Sequence, residues 1–352
     1  LDVAAEGPIA KNYKGSYLIN YRYSTLSLLS KIGLPLGDFV TNFQDLSFNV
    51  YLPTGPKSTI TLFGFGGLSD QDGDALTDSL EWQSEGDRYG STFFSNTGAV
   101  GIKHSYILNE APFLQTTVLA SGNALGTTEH RLDDNLQFQD RFYENYSNSK
   151  ITLSSVLNTK FSAKASLRSG FYVNQLYYNL REDNYEEETQ SLETNINSKG
   201  NTQSVQAFSQ LNYRANERLT VNLGLHYLQL LLNNSSSVEP RLSASYALDE
   251  KQRLTFGYGL HSQVQPLGTY FVEQEVNGQI ILPNKDLGLS KSHHFVLGYD
   301  RSLTPYLRMK VETYYQHLFN IPIKSGTDET YSIINQQWTF ATDPLVNEGF
   351  GR

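Results

Sequence analysis

Asp70-Gln71-Asp72-Gly73-Asp74 sets three carboxylates two residues apart. This spacing lets acidic oxygens converge on a hard divalent cation. A helix–loop–helix calcium site also asks for Gly at its sixth position and Glu at its twelfth. Here those positions hold Ala75 and Glu81, and the flanks do not read as helix. Asp70, Asp72 and Asp74 therefore stand as a candidate loop calcium site, against the plainer reading of a solvated hairpin tip. Glu182-Asp183-Asn184-Tyr185-Glu186-Glu187-Glu188 reads first as a solvated acidic loop, and second as a holder of divalent ions or a repeller of anionic lipopolysaccharide. Adjacent His293 and His294 fall on opposite sides of an extended strand and cannot chelate as a pair. His261 and His294, with His226 and His104, could line a metal-chelating path, although scattered His more often serve as hydrogen-bonding wall residues. There is no cysteine, which removes thiolate nucleophiles, thiolate metal sites and disulfides. No GxSxG elbow occurs and no Gly-rich phosphate loop has the needed spacing. No catalytic residue is assigned and no enzyme is expected. Calcium is the one cofactor considered.

The elements that must position these residues are strands. About fourteen candidate strands are joined by turns that alternate short and long. Short turns fall near 7–15, 53–58, 108–112, 158–164, 214–218, 248–251 and 301–306. Longer, mostly polar connections fall near 24–44, 69–93, 123–141, 179–203, 230–237 and 262–291. Antiparallel hairpins with tight turns on one rim and long loops on the other are the layout of an outer-membrane barrel.

Within the strands the side chains alternate in character. Leu307, Met309, Val311, Thr313, Tyr315 and Phe319 share one face, and Arg308, Lys310, Glu312, Tyr314 and Gln316 the other. His317 interrupts the apolar face near the strand end. Leu219, Val221, Leu223 and Leu225 likewise oppose Thr220, Asn222, Gly224 and His226, and Leu254, Phe256, Tyr258 and Leu260 oppose Thr255, Gly257, Gly259 and His261. Period-two alternation makes ribbons with one greasy and one wet side. A soluble sandwich would bury such faces against each other, but its strands usually run about 5–6 residues. Several here exceed ten, and a tilted strand needs about 9–11 to cross a bilayer. The inward glycines Gly170, Gly224, Gly257, Gly259 and Gly298 fit either a coiling barrel wall or ordinary bulges.

Composition agrees with the membrane reading. Mean hydropathy is −0.41, but only alternate residues of a barrel strand face lipid. The 23 Tyr and 19 Phe suit strands and headgroup girdles. A net charge of −9 argues against nucleic acid as a partner.

Several segments resemble TonB-dependent receptors of Bacteroidota. Gly15-Ser16-Tyr17-Leu18-Ile19-Asn20-Tyr21-Arg22-Tyr23-Ser24-Thr25 is similar to an early barrel strand. Phe43-Gln44-Asp45-Leu46-Ser47-Phe48 with Phe63-Gly64-Phe65-Gly66-Gly67 resembles the next hairpin. Glu239-Pro240-Arg241-Leu242-Ser243, Phe256-Gly257-Tyr258-Gly259-Leu260-His261-Ser262-Gln263, Lys291–Tyr299 and Lys310–Pro322 resemble late strands. The likeness spans nearly the whole chain and is strongest at 1–68 and 236–323.

The resemblance implies an all-β, antiparallel up-and-down transmembrane β-barrel segment of about 14 strands, part of a 22-stranded barrel. Residues 1–352 would be a partial barrel domain, with plug, TonB box and C-terminal strands absent. It implies outer-membrane uptake of a scarce ligand such as a siderophore, cobalamin or glycan in a Gram-negative bacterium. Partners would be TonB through the missing N-terminal region, the small-molecule or glycan ligand, outer-membrane lipid and a surface lipoprotein. Arg22, Arg168, Arg241 and Arg308, with Glu239 and Glu312, would be lumen charges, forming wall-to-plug salt bridges or, for Arg241 and Arg308, touching ligand. Loops 262–291 and 179–203 would contact ligand, with Tyr270, Phe271 and Trp82 as stacking rings. A passive porin or adhesion barrel and a soluble carbohydrate-binding β protein remain alternatives.

Overall fold

A computed structural model of the chain describes residues 1–352 except 25–27, 30–31, 34–40, 109–111 and 326–342. In chain order the strands are β1 Asp2–Ala10, β2 Tyr13–Tyr23, β3 Asn42–Gly55, β4 Ser58–Gly73, β5 Tyr89–Ile107 and β6 Phe113–Leu132. They continue as β7 Phe138–Lys160, β8 Ala165–Glu186, β9 Ser191–Arg214, β10 Leu219–Leu230, β11 Ser235–Ala247 and β12 Gln252–Gln263. A small hairpin, β13 Gln274–Val276 and β14 Gln279–Ile281, precedes β15 Ser290–Thr304, β16 Leu307–Lys324 and β17 Leu345–Gly351.

Among the described residues, all but β13 and β14 form one fifteen-stranded sheet, each strand bonded to its neighbours in sequence. Every adjacent pair is antiparallel, so the topology is up-and-down throughout. The sheet is open in this chain, with β1 and β17 as its edges. β17 brings the sheet to fifteen strands, against the expected fourteen or so. Its alternation is masked by two glycines and by register shifts against β16.

There is one layer. Leu223, Phe256 and Val311 are 50%, 40% and 55% exposed, so the stacked-sheet alternative is not what forms. Among the described residues the continuous greasy face has no protein cover.

The short-turn rim is as expected among the described residues; the turn near 108–112 lies largely outside them. Asn216 Oδ1 accepts the backbone N–H of Arg218 and of Leu219, both at 2.9 Å. Asp249 Oδ1 accepts the N–H of Lys251 at 2.7 Å, and its other oxygen accepts from Gln252 Nε2 at 2.6 Å. Such side chains close turns by replacing backbone acceptors.

The opposite rim differs from the sequence reading. Connections expected as long loops near 123–141, 179–203 and 230–237 are mostly strand, closed by tips at 133–137, 187–190 and 231–234. Leu136, Gln190 and Asn234 take positive φ in those tips. Strands β6 to β9 run 20 to 24 residues, about twice what the apolar layer needs. In these outer portions the alternation fades while backbone pairing continues. The expected loop near 24–44 lies largely outside the described residues. Segments 74–88 and 264–289 remain true excursions.

Candidate functional site

One wall of the sheet carries a shallow recess of about 570 Å³ on its wet face, where β8 to β12 and β15 run side by side. Register builds it. Arg168, Gln210, Gly224, Arg241, Gly259, His294 and Gln316 form one row across successive strands. Glycines in that row and beside it leave space that side chains would fill. At Gly257 an added Cβ would meet only Val296 Cβ, at 3.8 Å. No register shift occurs at Gly224, Gly257, Gly259 or Gly298, so these residues hollow the wall rather than mark bulges.

Glu239 organises the charges. It is 1% exposed. Its carboxylate accepts from Arg241 Nη2 at 2.8 Å and lies 2.9 Å from His226 Nδ1. It also accepts the Ser262 N–H at 3.2 Å and the Ser262 hydroxyl. A buried carboxylate held by this many donors is fixed in place, and it fixes Arg241 and His226 in turn. The His261 and His294 rings approach to 4.7 Å at 57°, and Gln316 Nε2 lies 3.3 Å from His294 Nδ1. Arg168 lies over the Phe208 ring at 5.7 Å, and Tyr172 stacks on Phe208 at 6.1 Å. The result is a concave surface of guanidinium, imidazole and aromatic groups, suited to an anionic or aromatic ligand.

Tyr172 and Phe208 were not singled out from sequence. Both sit at inward register positions, flanked by Arg168 and by Gln206 and Gln210, so parity alone could have found them.

The expected site residues are dispersed. Arg241 lines the recess, whereas Arg308 starts β16 near the short-turn rim and is bound to Asp300 there, its Nε donating at 2.7 Å. Arg22 pairs with Asp45 at 2.8 Å and Lys310 with Glu312 at 2.8 Å. These wall charges are thus matched within the wall. His226, His261 and His294 do gather at the recess. His104 does not: it lies on β5, 2.9 Å from the Ser58 hydroxyl. Among the described residues no group of three His, Asp or Glu is placed to hold a metal.

Tyr270 and Phe271 are not displayed on an outer loop. They are 0% and 4% exposed, and segment 264–289 folds inward so that they join Tyr146, Tyr178, Leu180, Ile196 and Leu230 in a core on the wet face. Phe271 lies 4.6 Å from the Tyr178 ring, and Val272 bridges to Ile196. Burial pushes the Tyr270 hydroxyl up to about 12 and raises the Glu273 carboxyl as well. Trp82 lies in segment 74–88, where its Nε1 donates to Leu76 O at 2.6 Å and Arg88 covers its ring at 4.8 Å.

The acidic motif at 70–74 is not a turn. Asp70 and Asp72 lie within β4, opposite Phe94 and Thr92, and Asp74 follows the strand. Asp70 accepts from Asn42 Nδ2 at 2.7 Å. The second acidic run is strand as far as Glu186, with Glu182 and Asp183 buried in β8. Glu182 accepts from the Tyr146 hydroxyl, and Asp183 accepts from Arg181 at 2.7 Å and Thr194 at 2.7 Å.

No protein-family model and no curated protein matches the sequence. Solved structures do match in fold. The siderophore receptor PirA from Acinetobacter baumannii aligns over 92% of this chain and 50% of its own, with 14% identity and a TM-score of 0.63. The ferric-catecholate import receptor Fiu from Escherichia coli K12 aligns over 94% of this chain and 57% of its own, with 11% identity and a TM-score of 0.64. The RagAB peptide transporter aligns over 99% of this chain and 46% of its own, with 11% identity and a TM-score of 0.61. The chain spans about half the length of the structures it matches. At these identities the shared property is the fold: the antiparallel, up-and-down sheet of this chain is that of outer-membrane receptor barrels.

Proposed function

We propose that the chain is barrel wall of an outer-membrane uptake receptor of the TonB-dependent kind, in a Gram-negative bacterium. The carrying observation is the division of one single-layer sheet into two faces. Apolar side chains such as Leu223, Phe256, Leu297 and Val311 stand uncovered outside, and a concave Arg–His–aromatic recess lies inside. The barrel fold of a siderophore receptor, an import receptor and a peptide transporter supports this reading. A Bacteroidota origin is supported by the segment resemblances alone.

The recess would take part of a ligand entering from the long-loop rim. Its donors and ring faces suit an anionic or aromatic small molecule better than a neutral one. Energy would reach the barrel through TonB and a region outside this chain. A surface lipoprotein would sit over the same rim. The wall residues supply binding and positioning, and no bond-making role is assigned to any of them.

The test is growth and binding. Deletion of the gene should abolish growth on one limiting source among ferric siderophores, cobalamin, glycans and peptides. Gly257→Phe, which the backbone admits, should fill the recess and cut ligand binding about tenfold or more while the barrel still folds. Unchanged growth on every source after deletion would refute uptake. Unchanged binding in Gly257→Phe would remove the recess from the ligand path.

A further inference from the structure

The outer face of β12, β15, β16 and β17 carries a band of residues that ligand uptake does not use. His293 and His317 are cross-strand partners, and both lie on the outward register with Phe295, Leu297, Tyr315 and Val311. Imidazoles pointing at hydrocarbon would be costly, so their height in the bilayer decides their meaning. His317 is ten residues from Leu307, which follows the short turn. At about 3.3 Å per residue and a tilt of about 45°, that is about 23 Å of height, close to the apolar band of about 25 Å. The His pair therefore stands where hydrocarbon ends on the long-loop side, at the depth of headgroup phosphates.

The surroundings fit that depth. Below the pair lie Tyr258, Phe295 and Tyr315, and above it Phe319. His293 stacks on Phe319 at 5.2 Å and His317 at 5.9 Å. The two imidazoles lie nearly parallel, 9° apart with centroids at 6.5 Å. Tyr258 Oη, 3.1 Å from His293 Nδ1, steadies one ring, and among the described residues no polar group takes the other. Lys291 is the next outward position above His293, and Arg352 closes the same cleft beside His317. The outward positions of β12, β15 and β16 contain no carboxylate, while Asp300 and Glu312 point inward. Lys291, His293, His317 and Arg352 thus gather on this face, and among the described residues of these four strands Glu348 of β17 is the carboxylate on the outward register, four residues from Arg352.

We propose that this patch binds the phosphate headgroup of an outer-leaflet lipid, His293 and His317 donating to phosphate oxygens, Lys291 and Arg352 adding charge, and the flanking rings packing on the upper acyl chains. The proposal rests on the outer-membrane barrel reading. Charge complementarity favours a lipid over a second copy of the chain, since two such patches face to face would repel.

The test uses the full-length receptor, stripped of lipid in detergent and examined by native mass spectrometry. The probes are bis-phosphorylated lipid A and the same lipid enzymatically dephosphorylated. Wild type should prefer the phosphorylated form roughly tenfold. The double variant H293Q/H317Q, which keeps side-chain size and polarity, should lose most of that preference yet retain heat-modifiable barrel migration and ligand binding. K291Q should lower the preference partially. Equal binding of both lipids by wild type, or a preference surviving H293Q/H317Q, would overturn the proposal. A detergent-resistant dimer that both lipid and H293Q/H317Q abolish would assign the patch to self-association instead and equally overturn it. A receptor that binds no detergent would overturn the barrel reading and this proposal together, an outcome distinct from a folded barrel without lipid preference.

Discussion

The face assignment makes a quantitative prediction at Leu225 and Asn222. Leu225 is 53% exposed on the outer face. It lies six residues into β10, so at about 3.3 Å per residue and a tilt of about 45° it sits about 14 Å above the short turn, near the midplane of a band of about 25 Å. Arginine at that depth on the lipid face costs about 2–4 kcal/mol. Asn222 faces inward three residues away, where its Nδ2 donates to Ser243 Oγ at 3.0 Å and its Oδ1 accepts from Asn212 at 2.6 Å. Asn222→Arg gives up hydrogen bonds worth about 1 kcal/mol net but keeps its charge in water. Leu225→Arg should therefore shift the folding equilibrium by about 30- to 1000-fold, and Asn222→Arg by about fivefold. The assay is reversible urea unfolding of the full-length receptor in phospholipid vesicles, with slopes compared to confirm that the same surface is exposed. If the two variants lose stability to within about 0.5 kcal/mol of each other, alternation between lipid and lumen is wrong, because nothing else in the structure separates these neighbours so sharply.

Other predictions concern the interior and the turns. Glu239→Ala removes the acceptor that holds Arg241, His226 and Ser262, and should cost about 1–3 kcal/mol of unfolding free energy by the same vesicle assay; Glu239→Gln should cost less, because it still accepts from Ser262. Tyr270→Ala removes the most buried ring of the inward-folded segment and should free 264–289 for protease cleavage in intact cells, with the barrel band on a gel unchanged. The Asp249 carboxyl is held below the usual carboxylate range by the Lys251 N–H and by Gln252. Its folded pKa lies below its unfolded value, so its contribution is complete above roughly pH 5. That contribution fades as pH falls through the folded pKa. Asp249→Asn should then be less stable than wild type at neutral pH, with the gap closing in acid; a gap independent of pH would remove the carboxylate from the turn's stability.

What was legible in the sequence follows from which physical constraint each segment obeys. Where one face meets hydrocarbon and the other water, selection acts on alternate residues, and β10, β12 and β16 showed their faces directly. Short turns among the described residues also stood out, because residues such as Asn216 and Asp249 close them by local hydrogen bonds. Above the bilayer that constraint lapses. Glu182 and Asp183 looked like a solvated run because three more Glu follow Tyr185, yet both are buried in β8 and bonded to partners on β7 and β9. No local signal marks a carboxylate whose partners, Tyr146 and Thr194, lie 36 and 11 residues away. The same limit hid the recess: its histidines were read as inward, but the hub at Glu239 depends on Ser262 from a neighbouring strand.

Segment 264–289 shows why length and composition misplace a connection even when its existence is legible. Its polarity suggested an exposed ligand-binding loop. Its few apolar residues instead outweigh that average, since Tyr270, Phe271, Val272 and Leu287 find a complementary apolar strip at Tyr178, Leu180, Ile196 and Leu230. Burying each of these large side chains contributes about 1.5–3 kcal/mol toward holding the segment inward. Polar anchors add direction: Asn233 Nδ2 donates to Leu287 O at 2.7 Å, Asn284 Nδ2 to Asp343 O at 2.9 Å, and Asn284 Oδ1 accepts the Leu345 N–H at 2.7 Å. The segment is thereby tied to the β10–β11 tip and to the start of β17. On the proposed uptake reading, a ligand entering from the long-loop rim would meet this tethered segment before the Arg241–His261 recess, and cleavage of 264–289 is then expected to change the rate of ligand entry more than the affinity of the recess.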